Sequence, residues 1–433
     1  MNNFSRRRFI QTTVAGAAGL ASMPLLQGFR PVGANDTVRI GVIGLGQQAN
    51  NLIGSFTRIP GVQIIAGADV YGIKRQRFEQ KVKEYNQSKN IKAEVVTYKD
   101  YRAILDRKDI DAVIIATPDH WHALIAIDSC DAGKDIYQEK PITFTLKESL
   151  KVAEAVRRAN VIFATGSQQR SDRNYQHTVN MVHREALGKL TKVWAYVGPG
   201  PDPYNLPEET VPADLDWKQW LGPLKPVHYN AFLNPPISLQ PAKNETYWAK
   251  WRYFKETGGG FTCDWGAHNF DIGQWGLGKD HSGPVKIVPP GYLDNEYLTF
   301  VYDNGLEMIN RPYDEKKTLG IKFWGEDGWI EVSRGSIAAS DPSLLPSKEE
   351  TADADKYEKS PLHLENFIQA VKSRRDPIVP VEIGQRTAAT CILGTIALEL
   401  KRPVRWSPEA QYFINDPEAE KYFHREYYGG YQL

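Results

Sequence analysis

One stretch of the chain brings an acid, a base and three glycines together: Gly258-Gly259-Gly260-Phe261-Thr262-Cys263-Asp264-Trp265-Gly266-Ala267-His268. A helix beginning near Thr262 places Asp264 and His268 at i and i+4 on one face, with Asp271 nearby on the same face. An imidazole so placed can take the proton from an alcohol as hydride leaves the carbon, and the carboxylate can bind that hydroxyl or its neighbour and orient a ring. A third group lies upstream in Glu139-Lys140-Pro141, where a lysine ending a short β-rich run can hydrogen-bond a substrate hydroxyl. The competing structural reading makes Asp264 a helix cap and His268 a core histidine. A metal is the other alternative, but apart from His120-x-His122 the remaining histidines supply no second pair at comparable spacing, so none is expected.

These side chains need a scaffold, and one starts at Val38. The β-rich Val38 to Ile43 enters Gly44-Leu45-Gly46-Gln47-Gln48-Ala49, after which Leu52, Ile53 and Phe56 recur at helical spacing. A strand running into GxGxxA and a helix is a dinucleotide-binding turn: Gly44 permits the bend, Gly46 lets backbone approach a pyrophosphate, and the helix N-terminus offers free N–H groups. Gly44, Leu45, Gly46 and Gln47 are therefore expected at the cofactor. A second strand, Val62 to Ala68, ends at Asp69, which can accept from the adenosine ribose and would repel a 2′-phosphate, favouring NAD over NADP. Strands and helices then alternate, as in a parallel sheet with ligand at the strands' carboxyl ends. Ala112 to Ala116 runs into Thr117-Pro118-Asp119-His120-Trp121-His122, where the nicotinamide should lie, and Asp135 to Gln138 delivers Glu139-Lys140-Pro141 to the same edge.

Beyond a helix at Leu146 to Arg158 and a strand at Val161 to Thr165 comes Gly166-Ser167-Gln168-Gln169-Arg170, then a proline-rich, aperiodic stretch from Gly198 to Asn244. After the Asp264/His268 helix the sequence turns β-rich, with strands at 285–288, 297–302, 306–310, 321–324 and 329–332 separated by hairpin signals, and helices at 362–371 and 383–400. One large sheet with a single covered face fits these strands, and its open face suits substrate or a second subunit. The 433-residue chain carries a net charge of only +1, without the basic surplus that nucleic-acid binding rests on. Its three cysteines are odd in number and far apart, so no disulfide framework is expected.

The glycine turn, Asp69, Thr117-Pro118 and above all Glu139-Lys140-Pro141 resemble the glucose–fructose oxidoreductase/inositol dehydrogenase (Gfo/Idh/MocA) family. The resemblance implies an α/β fold: an N-terminal Rossmann domain, expected over 35–160, and a C-terminal α/β domain with a large, mostly antiparallel, open-faced sheet over 161–433. It implies NAD as cofactor, contacted also by Thr117, Pro118, His122, Glu139, Lys140 and Gln168, and a catalytic set of Lys140, Asp264 and His268. Trp121, His122, Arg170, Arg252 and Tyr253 are then expected to touch the substrate beside Asp264 and His268, since aromatic faces and planar donors suit polyol rings. The substrate class implied is a sugar, sugar derivative or cyclitol.

Residues 1–34 differ in kind from the rest. Ser5-Arg6-Arg7-Arg8-Phe9-Ile10 precedes an Ala/Gly-rich apolar run without an acidic residue, the pattern of a twin-arginine export signal with cleavage near Ala34. A periplasmic enzyme has no access to the cytosolic nicotinamide pool, so its cofactor must be loaded before export and regenerated in place. Either a second sugar returns the hydride, or the cycle is redox-neutral, as in an NAD-dependent glycosidase. A non-catalytic sugar sensor is a third reading, opposed by the presence of Lys140, Asp264 and His268. No membrane span is expected after cleavage, and a homo-oligomer, dimer or tetramer, is.

Overall fold

The computed structural model describes residues 37–239, 248–347 and 362–433, so the twin-arginine segment lies outside the described residues. Six parallel strands make the first sheet: β1 (Val38–Ile43), β2 (Val62–Ala68), β3 (Val96–Tyr98), β4 (Ala112–Ile115), β5 (Asp135–Gln138) and β6 (Phe163–Thr165), in the order β3-β2-β1-β4-β5-β6. Helices such as Gln47–Phe56 and Asp119–Asp131 cover its faces. Because both faces are covered, β1, β4 and β5 are almost wholly buried, and β4 (Ala-Val-Ile-Ile) reads as a continuous apolar run. Strand order reverses between β1 and β4, which opens a crevice at their carboxyl ends, the ligand position of doubly wound sheets.

The expected boundary at residue 160 falls one strand short, since β6 pairs with β5 through Ile136 and Phe163 inside this sheet. The chain also returns to it later. Helix Leu362–Ser373 packs Leu364, Phe367 and Ile368 into the core built on Val38, Ile40 and Phe56, with the Phe367 ring edge-on to Phe56 and Tyr137.

The second sheet contains β7 (Leu190–Tyr196), β8 (Lys286–Val288), β9 (Thr299–Val301), β10 (Glu307–Ile309), β11 (Gly320–Gly325), β12 (Trp329–Ser333), β13 (Ser336–Ala339), β14 (Val404–Ser407) and β15 (Tyr412–Phe413), in the order β13-β12-β11-β7-β10-β9-β8-β14-β15. Every pairing is antiparallel except that of β7 with β10. The strands β13, β14 and β15 extend the sheet beyond the sequence expectation. Helix Gly266–Gly276 covers one face, with Gly273 against Met308 and Gly276 against Phe323. Alternation along β7, β11 and β12 turns Lys192, Trp194, Lys322, Trp324 and Trp329 to the other face, where Trp194 and Trp324 meet edge-on at 5.1 Å and the Lys322 ammonium sits 3.4 Å from the Trp329 ring centre. Helix Val381–Leu400 spans the two sheets, with Gly384 against Thr165 of β6 and Gly394 against Phe300 of β9. No helix among the described residues is long and apolar enough to cross a membrane.

Candidate active site

The crevice begins at the glycine turn. Gly44 has φ +83°, and a side chain there would strike the backbone of Ala116 and Thr117 at the end of β4. Only glycine lets β1 turn into helix Gln47–Phe56 this close to its neighbour. A side chain at Gly46 would meet nothing within 4 Å, and the helix that starts after it has no side-chain cap, so its first N–H groups are open to a phosphate. Asp69, at the end of β2, accepts from Leu45 N at 2.8 Å and Tyr71 N at 2.9 Å. The aspartate thus braces the turn, and the Leu45 N–H, expected at the cofactor, is already spent on it. Thr117 Oγ1 is buried beside the turn with no hydrogen-bond partner among the described residues. An open glycine, an uncapped helix start, a strand-end carboxylate and an orphaned hydroxyl on one crevice are a donor and acceptor set that fits a dinucleotide.

From there a cleft of about 870 Å³ runs past Thr117 and Glu139 to Lys140, Asp264 and His268, large for a small-molecule site, where volumes run roughly 300–1,000 Å³. Glu139 accepts from Gln48 Nε2 at 2.8 Å and Gln168 Nε2 at 3.0 Å, and burial pushes its carboxyl up. Gln47, Pro118 and Gln168 line the same cleft.

Lys140 Nζ donates to Asp264 Oδ1 at 2.7 Å and to the Asp264 carbonyl at 2.9 Å, joining groups 124 positions apart. The expected single helix is two, Gly260–Asp264 and Gly266–Gly276, joined through a helical Trp265, so Asp264 and His268 still face one wall. Gly260 makes this possible: its φ is +66°, and a Cβ would meet Pro201 N at 2.4 Å. Burial works to raise the Asp264 carboxyl, but Lys140 and Arg252 outweigh it and hold it below the ordinary carboxylate range. His268 is 5% exposed. Burial first, then Lys140 and Arg334, hold its imidazole well below the ordinary value, so it stands unprotonated at neutral pH. Tyr253 lines the cleft with its ring stacked on Phe261 at 4.6 Å, and Arg252 lies 3.7 Å from Asp264 between the cleft and the Trp251 ring.

Three expected contacts are employed elsewhere. Arg170 is 2% exposed and forks onto Asp271 at 2.7 and 2.9 Å, with Asp280 at 2.8 Å beyond, so it is a buried brace and not a sugar ligand. Asp271 is consumed in the same network and does not join the Asp264/His268 face of the cleft. His122 has both ring nitrogens against carbonyls, Pro141 O at 2.7 Å and Thr117 O at 2.9 Å, and burial lowers its pKa to about 4. A neutral imidazole has one N–H, so it donates to one of these carbonyls, and its other nitrogen faces the second carbonyl and not a ligand. Trp121 reaches the cleft, but its indole N–H is bonded to Trp220 O at 2.9 Å.

Two cleft residues escaped the sequence reading. Asp119, in the first turn of helix Asp119–Asp131, is 4% exposed with its carboxyl pushed up to about 8, by burial first and then by the Asp264 charge. Its place directly after a Rossmann strand end was the available signal. Arg334 sits at the tip of the β12–β13 hairpin; its guanidinium lies 4.5 Å from the Trp265 ring centre and donates to His268 Nε2 at 2.9 Å. No local pattern marks a residue that arrives from a distant hairpin.

A Rossmann sheet with an open dinucleotide crevice, abutting a lysine, aspartate and histidine on a second α/β domain, defines a nicotinamide-dependent oxidoreductase architecture. The chain belongs to the Gfo/Idh/MocA oxidoreductase family: the family's NAD-binding Rossmann-fold domain matches residues 38–167 and its C-terminal alpha/beta domain matches 190–433. An α-N-acetylgalactosaminidase of Shewanella oneidensis is 28% identical over 209 residues, covering 44% of this chain and 45% of that protein. The chain thus spans somewhat less than half the length of that relative. An uncharacterised oxidoreductase, YrbE, of Bacillus subtilis is 24% identical over 326 residues, 72% of this chain and 76% of that one. Among solved structures, the WlbA dehydrogenase from Chromobacterium violaceum, in complex with NADH and UDP-GlcNAcA, has the same fold at a TM-score of 0.61 and 17% identity, covering 87% of this chain and 98% of that one. So does myo-inositol 2-dehydrogenase from Lactobacillus plantarum, at a TM-score of 0.56 and 17% identity over 86% and 99% of the two chains.

Proposed function

We propose that the protein is an exported NAD(H)-dependent oxidoreductase that moves hydride between one carbinol of a sugar or cyclitol and a tightly held nicotinamide. The observation that carries this reading is the Lys140–Asp264 pair beside an unprotonated His268, at the open end of the dinucleotide crevice. Bound nicotinamide supplies the two-electron hydride exchange. The protein's own side chains handle the proton and the oxygen. As the carbinol carbon gives up hydride, its hydroxyl proton passes to His268 Nε2 and the C–O bond becomes a carbonyl. Lys140 donates to that oxygen, and Asp264 holds the ammonium in place. Running backwards, His268 returns the proton.

Export rests on the twin-arginine pattern of residues 5–10 and the apolar run after it. A homo-oligomer, dimer or tetramer, is supported by the Trp194/Trp324/Trp329 face of the second sheet. A second reading, a redox-neutral glycosidase, is favoured by the Shewanella relative's name and by Asp119, which keeps a proton at neutral pH that a departing glycosidic oxygen needs. In that cycle transient oxidation acidifies the neighbouring C–H, elimination expels the substituent, water adds, and the carbonyl is reduced again, with no net redox change.

Denaturing the purified protein should release a nicotinamide nucleotide in near-stoichiometric amount; its absence would remove the tight-cofactor argument. Aryl glycosides then separate the two readings, because free aglycone marks the glycosidase and keto-sugar with intact aglycone marks the oxidoreductase. Full turnover by His268→Ala would overturn the proton assignment in both.

A further inference from the structure

The hydrogen bond from Arg334 to His268 is awkward for a base. A neutral imidazole has one nitrogen with a free lone pair, and a guanidinium is only a donor, so Nε2 must be that nitrogen and the proton must sit on Nδ1. His268 Nδ1 is buried without a hydrogen-bond partner among the described residues, so no donor there opposes that tautomer. The lone pair that would take a carbinol proton is therefore covered by Arg334.

The cover is built to come off. Arg334 and Gly335 form the two-residue tip of the hairpin joining β12 to β13 at the edge of the second sheet; both are exposed, and both line the cleft. The guanidinium lies over the Trp265 ring, a surface along which a planar cation can slide without losing contact. What draws it away must offer more than an imidazole nitrogen. Charge decides which group that is. Lys140, Arg252 and Arg334 place three cations at this end of the cleft, Lys140 and Arg334 facing His268 and Arg252 beside Asp264, whereas Asp264 is the ionised carboxylate among them and Asp119 keeps its proton at neutral pH. Asp264 is in direct contact with Lys140 and Arg252, and although its charge is also felt by Arg334, the Arg334 guanidinium makes no close ion pair of its own among the described residues.

We propose that Arg334 is a substrate-displaced cap on His268, and that the displacing group is an anionic substituent of the substrate, the carboxylate of a sugar acid or uronoside. A carboxylate matches the guanidinium fork with two charge-assisted hydrogen bonds, against the single neutral one it gives up. Binding the right substrate then uncovers the base, and a neutral sugar leaves it covered more of the time. Displacement of the cap is a binding event in its own right; only the turnover after it rests on the oxidoreductase or glycosidase reading.

The test therefore has a binding arm and a turnover arm. In the full-length protein labelled with nitrogen-15 histidine, the His268 signal is assigned by its loss in His268→Gln, and Nε2 should report an unprotonated, hydrogen-bonded nitrogen. Methyl β-glucuronide should shift that signal much more than methyl β-glucoside at equal concentration, and in Arg334→Gln the starting signal should move and the difference between the two sugars disappear. In turnover, the uronoside should be preferred in kcat/KM by about ten-fold or more, the scale of a hydrogen bond to a charged group. Arg334→Gln should erase most of that preference through KM for the uronoside, and Arg334→Lys should restore part of it. The acid limb of the pH profile should move upward in Arg334→Gln, since one of the cations that face His268, Lys140 and Arg334, is gone while Asp264 stays. A His268 signal indifferent to Arg334→Gln, or equal response to both sugars, overturns the proposal. A selective shift without turnover of either sugar keeps it and counts against the catalytic reading instead.

Discussion

Replacing Asp119 by asparagine keeps the shape of the side chain and removes its titration. In the folded protein burial, helped by the Asp264 charge, lifts this carboxyl from 3.8 to about 8 against the opposing pull of Arg252, Lys140 and Arg425. A carboxyl with a raised folded value binds a proton that the unfolded chain releases, so its contribution is least unfavourable below pH 4 and stability is lost as pH climbs from there towards 8. The slope is about 1.4 kcal/mol per pH unit for one proton. Over the three or so units between 3.8 and 7 this amounts to roughly 4 kcal/mol forgone by the native side chain. Asp119→Asn is therefore expected to be close to the parent in stability near pH 4 and progressively more stable towards pH 8. The assay is thermal or urea unfolding of both proteins at several pH values, with the nicotinamide reduced so that the oxidised ring adds no further positive charge. Infrared spectra at pH 7 should also show a protonated carboxyl band that the variant lacks. A stability difference that stays constant from pH 4 to 8 would refute the assignment of a proton to Asp119.

Asp69→Ala removes the acceptor that braces Leu45 N and Tyr71 N, and the purified variant should retain less nicotinamide nucleotide on denaturation than the parent. Arg170→Met strands the buried Asp271 carboxylate and should cost about 3–5 kcal/mol in urea unfolding, with KM for the sugar little changed because Arg170 does not reach the cleft. Trp324→Glu puts a carboxylate between Trp194 and Trp329 on the open sheet face and should lower the mass measured by light scattering, without altering nucleotide content.

Much of the first domain was legible because its signals are local. Val38 to Ile43, Gly44 and Asp69 lie within about thirty positions, and a parallel strand covered on both faces writes itself as an apolar run. The Lys140–Asp264 contact joins distant segments, and a family resemblance supplied what spacing could not. Arg170 was misread for the same reason in reverse. An arginine after a strand end beside Gln168 and Gln169 looks like a ligand donor until Asp271, 101 positions away, is seen to consume it. His122 was missed because a carbonyl stands against each of its ring nitrogens, and neither carbonyl is visible in sequence. Strands β14 and β15 are short, and they exist as strands because β8 offers an edge to β14 and β14 in turn to β15. Arg334 carried no signal at all, since a hairpin tip gains meaning only from what it overhangs.

The distance between Lys140 and Asp264 depends on how one sheet is held against the other, and helix Val381–Leu400 touches both. Its Gly384 faces β6: a Cβ there would lie 2.3 Å from Thr165 Oγ1, 3.1 Å from Thr165 Cγ2 and 3.2 Å from Ile142, two residues beyond Lys140. Thr165 is itself buried, so the rotamer that clears the closest contact must find room for its methyl group in a packed interior. Gly384→Ala must therefore push the helix or the Lys140 loop aside, although it adds one methyl group well away from the reacting atoms. A misplacement near 1 Å at a catalytic group costs roughly a hundred-fold in rate. Turnover should fall towards that scale, while bound nucleotide, held mainly by the β1 turn and Asp69, stays near the parent level. Nucleotide loss in step with turnover would instead mean that the first sheet itself had been disturbed. Unchanged turnover would show that the two sheets are set by other contacts than this helix.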